Sequence, residues 1–171
     1  MEKIFFNDDN LTKEEIDENV IRLKALILNS NDELLLGYSY NTYQFPGGHL
    51  EENESLLDGL KRELKEETGI EFEVSNLEPF QEIRYYSKNY RNTNKNRENI
   101  IYYYLIRSDK DYDLSNTNYD THEIEGNYKL VRVKLGEIER VLKDSIMPNN
   151  INELIVKEML IAINNSGILN S

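Results

Sequence analysis

The hydrophobic pattern breaks the chain into short runs of differing period. Residues 20–28 (Val20-Ile21-Arg22-Leu23-Lys24-Ala25-Leu26-Ile27-Leu28) are dense in aliphatics and predict a mostly buried strand. Asn29-Ser30-Asn31-Asp32 is a turn cluster, and Glu33 to Tyr38 resumes as a second strand, so the two predict a hairpin. Residues 43–45 run into Pro46-Gly47-Gly48, where regular structure must stop, because Pro lacks the N–H and Gly takes positive φ readily. Leu56, Leu57, Leu60 and Leu64 then recur at helical spacing, with Ser55 placed as N-cap and Gly69 as the stop. Further strands are expected at 70–74, 79–86, 99–106 and 128–133, and helices at 135–143 and 151–163. The mixture predicts an α/β fold, a mixed sheet flanked by helices. It is expected to form one domain over 1–171, with a C-terminal helix at about 151–163.

The helix over 55–68 carries a conflict. At about 100° per residue, Leu56, Leu57 and Leu64 fall within roughly 60° of Leu60, which defines the buried stripe. Glu67 lies almost directly below Leu60, Glu63 sits beside it and Glu66 is one step further round, whereas Lys61, Lys65 and Asp58 point the other way. Like charges at these spacings cost about 0.2–0.5 kcal/mol per pair, and acids in the last turn oppose the helix dipole by about 0.3–1 kcal/mol each. The lysines point away and offset little of this. A divalent cation resolves it, because clustered carboxylates then become oxygen ligands.

Charge sharpens the picture. The 171 residues carry 32 Asp+Glu against 20 Lys+Arg, a formal net charge of -12. Such a surface repels nucleic-acid backbone and anionic membranes, so any phosphate ligand needs a local positive patch or a bound cation. With no Cys there is no disulfide, zinc-thiolate site, iron–sulfur cluster or thiol nucleophile. Neither the N-terminal residues nor the 154–161 stretch is long and apolar enough for a signal peptide or a membrane span, and a cytoplasmic location is expected.

With the Pro-Gly-Gly in front, the helix resembles the signature of the Nudix hydrolase family. Gly48, Glu54, Arg62, Glu63, Leu64, Glu66, Glu67, Gly69 and Ile70 match every position of that pattern at the right spacing, seven of them single-residue requirements. Gly59, where relatives often have Ala, departs slightly and is expected to loosen the helix by about 1 kcal/mol. The resemblance implies a domain core at about 18–145, an α/β/α sandwich with the signature as a loop–helix–loop, and hydrolysis of a diphosphate linkage in a nucleotide derivative with Mg²⁺ or Mn²⁺. By position it implies Glu63, Glu66, Glu67 and the Gly48 carbonyl as metal ligands, Glu63, Glu66 and Arg62 as the catalytic set, and Glu54 and Gly69 as structural residues. Glu63 is the first candidate base. Some relatives use a later acid, for which Glu123 and Glu125 are the candidates here.

Outside the signature, residues 84–97 hold Arg84, Lys88, Arg91, Lys95 and Arg97 and no acid. This segment is either a phosphate-attracting arm or a solvated loop. Arg84, Tyr86 and His49 are the candidate substrate contacts, and the Tyr85-Tyr86 pair falls about where diadenosine polyphosphate hydrolases of the family carry a tyrosine. The proline that marks many ADP-ribose hydrolases is missing, and the absence of Cys argues against an isopentenyl-diphosphate isomerase. The expected partner is a small nucleotide, with an RNA 5′ end as the one nucleic-acid alternative and no membrane. The contrasting reading is a non-catalytic Nudix module that senses a ligand. Substrate identity and oligomeric state stay open at this level.

Overall fold

The computed structural model describes residues 1–147 and 152–170. Alternation along strand β2 (Glu18–Leu28) sets the layering. Leu23, Ala25 and Ile27 face one side, where they meet Leu60 and Leu64 of helix α1 (Leu56–Thr68). Leu26 and Leu28 face the other, against Ile138 and Leu142 of α3 (Leu135–Asp144) and Val156, Met159 and Ala162 of α4 (Asn152–Asn165). Burial on both faces explains why the strand reads as a nearly continuous aliphatic run. The result is an α/β/α sandwich.

The other strands are β1 (Glu2–Phe6), β3 (Glu33–Ser39), β4 (Thr42–Gln44), β5 (Gln81–Ser87), β6 (Arg97–Arg107) and β7 (Lys129–Lys134). A short helix, α2 (Thr121–Glu125), precedes β7. The sheet runs β1-β5-β6-β2-β3-β4, with β7 on β3. It is mixed: β1 with β5 and β2 with β6 are parallel, and the other pairs are antiparallel.

The expected 20–38 hairpin forms only at its base. β2 and β3 pair at Ile27↔Leu35 and Leu28↔Leu34 and then diverge, β3 continuing against β4 and β7. The Pro46-Gly47-Gly48 segment fills the split. The amides of Leu23 and Ala25 donate to the carbonyls of Gly48 and Pro46, both at 2.9 Å, and Leu50 N–H donates to Ile21 at 3.0 Å. Gly47 has φ +119, and a Cβ there would stand 2.1 Å from the Leu23 carbonyl oxygen. Gly59 proves to be a close approach rather than a flaw, since a Cβ would crowd Leu50, Glu54 and Leu23 at 2.8–2.9 Å.

Residues 70–74 form no strand. Ile70, Phe72 and Val74 alternate into the α1-side core, but their backbone joins no ladder, so the period-2 signal reports burial without pairing. β1, β4 and α2 go beyond the sequence expectation: two are very short, and β1 is an edge strand with an exposed Phe5. The β3–β4 hairpin turns through Tyr40 (φ 47) and Asn41 (φ 58), the two left-handed residues of a twist-matched two-residue turn. Of the expected 151–163 helix, residue 151 lies outside the described residues and the helix runs from Asn152 to Asn165.

Replacing Gly47 with Ala should lower unfolding stability by at least about 1–3 kcal/mol, because a strained φ adds to a backbone collision. Gly136→Ala, where the new methyl meets nothing within 4 Å, should instead gain about 0.4–1 kcal/mol. Denaturant midpoints of both variants check the contrast.

Candidate active site

Helix α1 begins and ends as its sequence dictates. The Ser55 hydroxyl accepts from Asp58 N–H at 3.2 Å, and Gly69, at φ 72, donates its N–H to the Lys65 carbonyl. Between these caps, the stripe that buries Leu60 and Leu64 continues into Glu67, which is 4% exposed. Its Oε2 accepts from Gly47 N–H and from the Tyr128 hydroxyl, each at 2.8 Å. Glu63 and Glu66 are half-buried beside it, and Lys61 and Lys65 are exposed on the far side.

Arg62 organises the surrounding acids. Its Nε and Nη2 grip both oxygens of Glu54 at 2.8 and 3.0 Å, a bidentate pair. Nη1 reaches Glu63 at 2.7 Å and Glu66 at 3.3 Å, and Nη2 also donates to the His49 carbonyl at 2.9 Å. The guanidinium holds Glu54 below the usual carboxylate range. Glu63 also lies against Gly48, where a Cβ would stand 2.1 Å from Oε2.

Burial raises the cost of charge here. It pushes Glu67 up to about 8, against the pull of Lys24, Gly47 N–H and the Tyr128 hydroxyl, and it raises Glu63 against Arg62. Lys24 of β2 donates its ammonium to the Gly47 carbonyl, and its own pKa is lowered by burial. Glu123 on α2 faces the same acids: burial raises its pKa, Glu63 adds to the rise, and its Oε2 caps Asp120 N–H at 2.7 Å. Glu125 is exposed.

Among the described residues no three Asp, Glu, His or Cys side chains already converge as a metal-ligand group. Arg62 draws Glu63 and Glu66 toward itself, and Glu67 turns to Gly47 and Tyr128. The donor chemistry nevertheless fits a hard divalent cation. Carboxylates that are costly to ionise surround a glycine that leaves no side chain in their way, and its carbonyl has a lone pair beyond the bond from Leu23 N–H.

A cavity of about 420 Å³ opens on the α4 side of the sheet, lined among others by Arg22, Tyr40, Asn99, His122 and Glu158. It adjoins the acids through α2, where His122 lines the cavity and the next residue, Glu123, faces Glu67. Of the basic segment, Arg91 reaches this cavity, together with Tyr90.

Two expected substrate contacts lie elsewhere. Arg84 is clamped by Glu82 at 3.0 Å and Glu98 at 2.7 Å, and Tyr86 packs edge-on to Phe5. Both belong to the opposite sheet face from Tyr85, which lines the cavity. His49 borders the site: its Nε2 accepts from Arg22 Nε at 3.2 Å, and desolvation with Arg22 and Lys24 holds its pKa down to about 4.

Residues 20–147 match the NUDIX domain family model. The chain belongs to the Nudix family. A 69-residue stretch is 35% identical to an 8-oxo-dGTP diphosphatase of Buchnera aphidicola, covering 40% of this chain and 45% of that protein. Among solved structures, the E. coli ORF135 protein matches with TM-score 0.52 at 18% identity, over 88% of this chain and 94% of that one. A MutT protein from Bacillus halodurans matches with TM-score 0.51 at 22% identity, over 71% and 72%. These likenesses show the Nudix α/β fold.

The Nudix signature points to the acids of α1 but not to Arg22, Lys24 or Glu158. Arg22 and Lys24 did leave a trace, two cations spaced by two in an otherwise aliphatic strand. Glu158 is an acid in the middle of an otherwise mostly apolar helix, and burial pushes it up to about 7, against Tyr85, Arg22 and Lys24. Because the folded pKa lies above the unfolded value, the native state holds the extra proton in between. This contribution to stability is full below about pH 4.5 and is lost as pH rises through 7. Glu158→Gln removes the titration, so wild type should lose more stability than the variant between pH 5 and 8, as read from denaturant midpoints.

Proposed function

We propose that this Nudix protein is a Mg²⁺-dependent hydrolase that cleaves the diphosphate linkage of a nucleoside di- or triphosphate or a related nucleotide. The observation that carries the reading is the acid cluster at the end of α1, buried against Gly47 and Gly48 and adjoining a nucleotide-sized cavity. The named activity of the Buchnera aphidicola relative points to the same linkage.

Glu63, Glu66, Glu67 and the Gly48 carbonyl would hold the cation, with Mn²⁺ able to replace Mg²⁺. When bound, the ion neutralises phosphate charge and lowers the pKa of water. Arg62 positions Glu63 and Glu66 and fastens them through Glu54 to the preceding loop. Glu123 is the acid best placed to take the proton of the attacking water: it faces the cluster and stands outside the Arg62 clamp, whereas Glu63 is engaged by it. Glu125, exposed, has no such role. Arg22 and Arg91 supply the positive charge on the cavity wall that an overall acidic chain needs in order to admit a polyphosphate.

A panel of nucleoside triphosphates, dinucleoside polyphosphates, nucleotide sugars and capped RNA, assayed with Mg²⁺ and with Mn²⁺, should show metal-dependent release of phosphate, diphosphate or a nucleoside monophosphate. Glu63→Gln and Glu67→Gln should each cut kcat by about 100-fold or more while keeping the far-UV spectrum. Near-wild-type turnover in either variant sinks the assigned site. Calorimetric ligand binding with no turnover across the panel would identify a sensor instead.

A further inference from the structure

One carboxyl has no part in that chemistry. Glu158 lies on α4 between the core residues Val156 and Met159 in sequence, yet it lines the cavity. Facing it are Arg22 and Lys24 of β2, Tyr85 of β5 and Tyr103 of β6. The Tyr85 hydroxyl is buried beside the carboxyl as a hydrogen-bond partner, but the pair falls short of well-formed geometry. Asn99, the register partner of Tyr85 on β6, also lines the cavity and is 8% exposed. Its amide makes no hydrogen bond to the described residues. A carboxyl, a phenol loosely engaged with it and a side-chain amide with unmet hydrogen-bonding capacity thus surround one volume. Buried polar groups in native proteins are normally satisfied, so this set is shaped for a ligand.

The carboxyl restricts which ligand. A carboxylate presents two acceptors side by side and is best met by two parallel N–H donors. Among the common bases, guanine offers that pair, N1–H beside the N2 amino group. Adenine and cytosine set a donor next to an acceptor, and uracil flanks its single N–H with carbonyls. Burial raises this carboxyl's pKa, and the cations Arg22 and Lys24 pull against it toward the ionised form that such an edge needs. At the mouth, the Tyr40 and His122 rings lie 4.8 Å apart between centroids and offer aromatic surface to a base. Tyr40 is held there in the left-handed turn, a strained conformation for a bulky residue.

We propose that Glu158 is the base-reading residue of the cavity and that, with Asn99 beside it, it selects a nucleotide with a guanine-type edge. This rests on the nucleotide-hydrolase reading above. Glu158 is a specificity residue and takes no part in bond cleavage.

The test uses the full chain, wild type and Glu158→Gln. Calorimetric affinities for GMP and AMP are measured beside kcat/KM for GTP and ATP with Mg²⁺. Wild type should prefer the guanine member by about tenfold or more. The Gln amide replaces one acceptor with a donor and so matches adenine better. The variant should lose GMP affinity and gain AMP affinity, bringing the ratio to unity or inverting it. A gain for AMP cannot come from misfolding. No preference in wild type, or a preference that survives in Glu158→Gln, overturns the proposal. Guanine selectivity without turnover of either triphosphate would defeat the hydrolase reading and leave this one standing; turnover without selectivity would do the reverse.

Discussion

The site depends on one peptide unit, that of Gly47. Because β2 and β3 pair at only two positions before diverging, the sheet has an opening that a short segment must fill without a side chain. Gly47 does this with its backbone pressed against Leu23. Its N–H is then directed to the Glu67 carboxylate and its carbonyl to the Lys24 ammonium. An acid of α1 and a cation on the other face of β2 are thereby held to the same peptide. The surrounding β2 hydrogen bonds fix the segment on both sides of Gly47.

The electrostatics follow from this placement. A carboxylate with the burial of Glu67 would ordinarily be excluded from a core, and its neighbour Glu123 makes its ionisation harder still. Arg62 counters part of the charge, but it binds Glu54, Glu63 and Glu66 and does not reach Glu67. Tyr128 and Gly47 N–H solvate one oxygen of Glu67 and leave the acid still reluctant to ionise. The protein therefore retains a cluster that its own groups do not fully neutralise, next to a cavity whose wall carries Arg22 and Arg91. That imbalance is what a cation and a phosphate chain would relieve together.

The α1 cluster was legible because the conflict is local: three acids within one turn, beside a leucine stripe, break rules that act over three or four residues. The sandwich and most of its elements were legible for the same reason, since each strand or helix carries its own period. What failed was parity and long range. Arg84, Tyr85 and Tyr86 give no alternation, so the face each one takes is fixed by pairing with β6, and it is Tyr85 that reaches the cavity. Residues 70–74 alternate without a partner strand. Glu158 reaches β2 only through the packing of α4, and α2 is too short to show a period, although it places Glu123 and His122 on the two sides of the site. No helix among the described residues is long and apolar enough to cross a membrane.

The central claim is that the acids at the end of α1 form a cation site that the folded chain holds at a cost when empty. Thermal unfolding of the nucleotide-free protein, with and without millimolar Mg²⁺, tests it most directly. A ligand that binds only the native state must raise Tm. The account predicts a rise of several degrees for wild type (about 2–4 °C per kcal/mol for a chain of this size) and its loss in Glu67→Gln. An Mg²⁺ response that is absent from wild type, or equal in the two proteins, would contradict it.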